Sequence, residues 1–356
     1  MTRIAVLLVI VGLQAIFVIL TIALLFVTRM RRSRSRVRSS DAEAELAEPL
    51  QRIMLGDDGG EALAAALLKL QPAVAVRELL AIGGGRLSAD QRRSVASQVR
   101  QSPWVRDAIA AGYSRKWWKR LEAARLLAMV CDDTYRELVA RLVTDEHAAV
   151  ATAATAAIPG CISAEFVWAI VDGLPRRPAS VRLQQCNALR AHADIATDAA
   201  VSRLSGAATT AQLRAWIQLA EVLGTPAALE AVVPYASHPD VEIRTGAARA
   251  LRNCFSAEAA AAVTRMLKDD DWRVRAAAAR AVGALNANEA IPLLRDAMHD
   301  DSWWVRFRAG LALADLSDPG RSALKEVRES PDQFARDMAT LVCGLSDGSR
   351  LELTAS

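Results

Sequence analysis

Arginine is the residue whose type and spacing in this chain could do chemistry. Arg244, Arg275 and Arg306 stand 31 residues apart, and steps of 30 to 32 residues back from Arg244 reach Arg214, Arg182, Ala151 and Arg120. A planar, permanently charged guanidinium recurring at a fixed interval suits the bidentate grip of carboxylates. Arg120, Arg182, Arg214, Arg244, Arg275 and Arg306 therefore read as structural, forming a ladder of ion pairs with aspartates of adjacent repeats.

Bond-making chemistry needs a constellation, and none assembles. The four histidines, His147, His192, His238 and His299, are scattered in loops or caps. The five cysteines, Cys131, Cys161, Cys186, Cys254 and Cys343, are odd in number and embedded in apolar patterns. They read as buried free thiols of a reducing compartment. No CxxC or Cys/His cluster offers a zinc site. Gly83, Gly84 and Gly85 lack the Gly-Lys-Ser/Thr ending of a phosphate loop and read as a helix stop before a capping box at Ser88 and Gln91. Asp57, Asp58, Gly59 and Gly60 form a turn without the ligand spacing of a calcium loop. No catalytic residue, metal, cofactor or small-molecule substrate is expected.

The elements that position the arginines are helices. One residue before each arginine stands Ile243, Val274 or Val305; three after comes Ala247, Ala278 or Ala309; seven after comes Leu251, Val282 or Leu313. Counted from the residue before the arginine, these fall at i, i+4 and i+8, one face of an α-helix, and the small alanines let a neighbouring helix approach closely. Val241, Trp272 and Trp303, three before, are expected on the same inward face. Asp269 and Asp300 are expected as N-caps, Pro239 and Pro331 in the next slot, and Asp240, Asp271 and Asp332 in the first turn.

The pattern Asp-x-x-(apolar)-x-(apolar)-Arg-x-x-Ala-Ala over residues 269–279 resembles the short HEAT-like repeat of phycobiliprotein lyases and bacterial HEAT-repeat scaffold proteins. That resemblance implies an all-α fold, a right-handed α-solenoid of about eight helical pairs. It says little about activity. Iron-binding hydroxylases of this type would show His-Glu pairs, which are missing, and a HEAT-repeat lyase remains the least favoured alternative.

Residues 4–28 form an apolar run interrupted by Gln14, Thr21 and Thr28, long enough for a single transmembrane helix and too long for a cleaved signal peptide. Arg29, Arg31, Arg32, Arg34, Arg36 and Arg38 follow it, against Arg3 before it, which places the N-terminus outside and the remainder in the cytoplasm. The first 40 residues carry seven arginines and no acid while the whole chain is +4, so residues 41–356 sum to −3. A weakly acidic body is not the footprint of a nucleic-acid binder.

The expected organisation is a transmembrane helix at 4–28, a basic juxtamembrane segment and acidic linker at 29–50, a helical cap at 51–113, the HEAT-like solenoid at 114–345 and a polar tail at 346–356. The expected function is a single-pass, membrane-anchored cytoplasmic scaffold that binds another protein without catalysis. The alternative is an accessory subunit of a membrane enzyme such as an envelope polysaccharide synthase or transporter. Helices carrying the arginine line the concave wall of HEAT-like solenoids, so Trp118, Trp304, Arg249 and Arg280 are the expected partner-binding residues, Trp and Arg being enriched at binding hot spots.

Overall fold

The computed structural model describes residues 44–53, 55, 60–83, 89–158, 163–316 and 318–355. The apolar run, the juxtamembrane arginines, Asp57, Asp58, Gly59, Gly84, Gly85, Ser88 and Cys161 lie outside the described residues. Among those described, every regular element is a helix, and no helix is long and apolar enough to cross a membrane. Two compact units divide the chain between Leu138 and Val139, inside the span expected as one solenoid.

The first unit contains α1 (44–53), α2 (Gly60–Lys69), α3 (Pro72–Gly83), α4 (Ala89–Val99), α5 (Pro103–Ala110), α6 (Trp117–Val130) and the start of α7 (Arg136–Val143). Helix α2 packs on α4 and α4 on α6, while α3 packs on α5. Leu63, Leu67, Leu79 and Leu126 are fully buried there. The segment expected as a cap thus alternates its helices as a repeat array does, although it lacks the arginine motif.

The second unit continues with α8 (Ala148–Thr155), α9 (Ala164–Gly173), α10 (Ala179–Leu189), α11 (Ala193–Leu204), α12 (Thr210–Leu223) and α13 (Pro226–Glu230). Next come α14 (Val241–Leu251), α15 (Ala257–Met266), α16 (Trp272–Ala284), α17 (Ile291–Ala297) and α18 (Trp303–Asp315). Helices α19 (Asp318–Val327), α20 (Gln333–Gly344) and α21 (Asp347–Ala355) end it. Even-numbered helices from α8 to α20 stack on one another in one layer, and the odd-numbered ones lie beside them in a second. This is an α-solenoid.

Its core is the alanine-rich face read from the sequence. Ala247, Ala278, Ala309, Leu251, Val282 and Leu313 are all fully buried. Small side chains set the helix spacing: a Cβ added at Gly283 of α16 would lie 3.1 Å from both Cα and Cβ of Ala312 on α18. Every methyl on this face matters because interiors are close-packed.

Helix starts differ from expectation by two residues. The N-caps are Asp240, Asp271 and Asp332, each accepting from backbone N–H groups two or three residues on, while Ser302 occupies that place before α18. Asp269 and Asp300 lie earlier, accepting from the backbone N–H of Asp271 and Ser302. They stay outside the helix because their carboxylates are held by arginines of the preceding repeat. One further expectation is corrected: Cys343 is exposed rather than buried, while Cys186 is buried and its thiol is pushed up to about 12 by desolvation. Residues 347–355 of the polar tail form a helix, α21.

Candidate protein-binding groove

All the repeat arginines but Arg214 first close their own loop. The Nη1 atoms of Arg120, Arg244, Arg275, Arg306 and Arg336 donate to the carbonyls six and five residues earlier; for Arg275 these are Asp269 and Asp270, at 2.8 and 3.0 Å. Arg182 makes the nearer of these bonds, to Arg177, and also donates to Gln218 at 2.6 Å.

The outer edge of the guanidinium then reaches the next repeat. Nε and Nη2 of Arg244 grip Asp269 at 2.7 and 2.9 Å, and those of Arg275 grip Asp300 at 2.6 and 2.9 Å. Arg214 meets Asp240 only at 3.8 Å. Arg306 finds no carboxylate, because Ser330 stands where Asp300 stands one repeat earlier, and its guanidinium lies over the Phe334 ring at 5.3 Å. The ladder expected from the sequence is therefore complete at two rungs.

With the arginines committed inward, the outer faces of α14, α16 and α18 are left for recognition. Arg249 of α14, Arg280 of α16 and Trp304 of α18 line one depression of 210 Å³ together with Arg252, Trp272 and Arg308. Three of the four expected partner-binding residues thus come together. The fourth, Trp118, belongs to the first unit, 52% exposed, edge-on to Trp117, with the Lys116 ammonium 5.5 Å from its ring.

The tryptophans three before the arginine do not point inward. Trp272 is 43% and Trp303 45% exposed, close to the 52% of Trp304, and Trp117 is 42% exposed. Trp272 and Trp303 are first residues of their helices, and a helical side chain leans toward the N-terminus, so each overhangs the layer instead of packing within it. Trp303 stacks on Phe307 and meets Trp304 edge-on, both with ring centroids 4.9 Å apart. The result is an aromatic rim held by contacts among its own rings.

Beside that depression lies a cavity of 360 Å³ lined by Arg252, Arg280 and Arg308 over a floor of Gly283, Ala284, Leu311 and Ala312. Desolvation pushes the Arg280 guanidinium down to about 10, with Arg252 and Arg308 adding repulsion and Glu221 opposing it. Burial and Arg252 lower Arg308 in the same direction. At about 10, Arg280 stays charged at neutral pH. Arg252 and Arg308 escaped the sequence reading because they sit at other offsets from the repeat arginine, and only the stacking of three helices gathers them with Arg280. The groove can take an anionic group beside an apolar or aromatic one. Among the described residues no three His, Cys, Asp or Glu side chains gather as metal ligands.

A family model described as HEAT repeats matches residues 197–281 and 259–343. Residues 197–343 are thus similar to HEAT repeats. This stretch carries both complete rungs of the ladder and all of Arg249, Arg252, Arg280, Trp304 and Arg308. No curated protein matches the chain. Among solved structures the chain is similar to the complex of CpcE and CpcF of phycocyanin lyase from Nostoc sp. PCC7120, at 20% identity over 50% of this chain and 74% of that one, with a TM-score of 0.37. It is also similar to an engineered protein, at 20% identity over 90% of this chain and 94% of that one, with a TM-score of 0.36.

Proposed function

We propose that this protein is a non-enzymatic, membrane-anchored adaptor whose HEAT array holds another protein in the groove of α14, α16 and α18. The observation that carries the reading is the clustering of Trp272 and Trp304 with Arg249 and Arg280 on one exposed face. Exposed tryptophans cost solvation, and together with arginine they are the side chains that dominate binding energy when a partner covers them. In this reading residues 4–28 anchor the chain and the arginine-rich segment after them keeps the array on the cytoplasmic side.

The test uses the tagged full-length chain solubilised in detergent. A protein recovered in stoichiometric amount with the wild type is expected to be lost from the Trp304→Ala/Arg280→Ala double variant, with helicity and melting unchanged. Retention of the same protein by a folded double variant removes this groove as the site. Identification of the captured protein separates a scaffold from an accessory subunit, the latter bringing a membrane enzyme with it.

A further inference from the structure

The basic cavity at the end of the groove gathers three guanidinium groups. Arg252 follows the last residue of α14, Arg280 and Arg308 lie on α16 and α18, and Asp315 is the one acid in the cavity lining. Glu221 acts on Arg280 from α12, and Arg249 is 4.0 Å from the same carboxylate. Like charges gathered in a half-buried place repel more strongly than in water, so they persist where an anion repays them.

The structure shows what the cavity accepts. Arg308 Nη1 donates to the carbonyl of Leu353 at 2.7 Å, and Leu351 lines the same cavity while remaining 72% exposed. Leu353 lies in the last turn of α21, whose carbonyls lack partners within the helix and carry the negative end of its dipole. The chain's own last helix thus offers an apolar side chain and a partial negative charge. A carboxylate offers a full charge and two acceptor oxygens, roughly doubling the strength of each bond.

Resting on the groove reading above, we propose that the partner enters as an acidic segment, its Asp or Glu carboxylates between Arg252, Arg280 and Arg308 and a neighbouring apolar side chain against Trp272 and Trp304. This segment displaces the end of α21. A peptide fits the observations better than a nucleic acid, because the positive charge is local while residues 41–356 sum to −3. A long phosphate backbone would meet that acidic surface, whereas a short acidic segment meets only the cluster.

The probe is a short fluorescein-labelled peptide of glutamates around one leucine, titrated by anisotropy against the full-length protein in neutral detergent. Replacing its glutamates by glutamines is expected to weaken binding about tenfold or more, and Arg308→Ala and Arg252→Ala about fivefold each. Arg295→Ala, on exposed α17, should change nothing. Melting curves of each variant establish that it is folded, and Arg308→Lys keeps the readout if Arg308→Ala is not. Equal binding of the glutamine peptide, or indifference to both arginine variants, overturns the proposal. So does displacement of the peptide by inorganic phosphate, oligothymidylate or phosphatidylglycerol vesicles at lower charge concentration than unlabelled peptide. If Trp304→Ala/Arg280→Ala abolishes partner capture while Arg252→Ala/Arg308→Ala leaves it intact, the groove stands and the acidic partner falls.

Discussion

Arg275 holds Asp300 with two parallel hydrogen bonds while the same guanidinium ties down the carbonyls of Asp269 and Asp270. One side chain therefore fixes the loop before its own helix and the loop before the next. Arg244 repeats the arrangement on Asp269, so Asp269 accepts from Arg244 with its carboxylate and from Arg275 with its carbonyl. Register passes from repeat to repeat through these residues.

Acid should loosen this chain of contacts. Burial alone would raise the Asp269 and Asp300 carboxyls, but hydrogen bonds from Arg244 and Arg275 and from backbone N–H groups hold both below the usual range. A carboxyl lowered by folding stabilises the fold above its unfolded value, near 4, and stops doing so as pH falls through its folded value. Stability should therefore decline below about pH 5. Asp300→Asn keeps the cap to Ser302, costs about 2 kcal/mol at neutral pH and flattens part of the acid decline. Urea unfolding from neutral to acidic pH measures both; an unchanged acid slope in the variant speaks against the ladder.

The missing rung can be restored. Ser330 leaves Arg306 without a carboxylate, so Ser330→Asp should add about 1 kcal/mol and raise Tm by about 2–4 °C. Ser330→Ala, which loses the 3.0 Å contact with His299 and the 3.2 Å bond accepted from the Asp332 backbone N–H, should not. Equal melting of the two variants contradicts the account of this gap.

Helix spacing gives an ordered series of glycine variants. Gly246 has open surroundings, with Ile217 Cγ2 at 3.6 Å from an added Cβ, so Gly246→Ala should be neutral or stabilise by up to about 1 kcal/mol through helix propensity. Gly283→Ala must push against Ala312 and should cost about 1–3 kcal/mol. At Gly320 the added Cβ would lie 2.6 Å from the Leu313 carbonyl oxygen, so Gly320→Ala should cost most. Thermal melting that breaks this order counts against the packing described. Ala278→Glu, placing a charge on the fully buried face, should cost about 2 kcal/mol or more.

The repeat was legible because its core is local. Ile243, Ala247 and Leu251 fall on one helical face whatever the rest of the chain does, and Ala278 and Ala309 follow by translation. The helix starts were not, because Asp269 and Asp271 are equally good caps in isolation and the choice is made by Arg244 of another repeat. The outward turn of Trp272 and Trp303 follows from their place at the first residue of a helix, which a two-residue error in the start conceals. Residues 347–355 lack a helical apolar face, and Leu351 and Leu353 are two apart; the contact with Arg308 that accompanies helix α21 is a long-range one. Arg249, Arg280 and Trp304 were found by residue type and offset, whereas Arg252 and Arg308 join them only when three helices stack.

Anchoring makes its own prediction. If residues 4–28 span a membrane as proposed, the six arginines after residue 28 against one before it put the C-terminus on the cytoplasmic side. A reporter that works only in the cytoplasm should be active when fused after Ser356. Activity of a reporter that works only outside contradicts this orientation.

The central claim is that the Trp304 face holds a protein. A photoreactive benzoylphenylalanine placed at position 304 of the full-length chain in its own membranes should form one dominant adduct on illumination. The same group at position 295, on α17, should not form it, and Arg280→Ala should suppress the adduct at 304. An adduct of equal yield from both positions, or none from position 304 in a folded protein, contradicts the account.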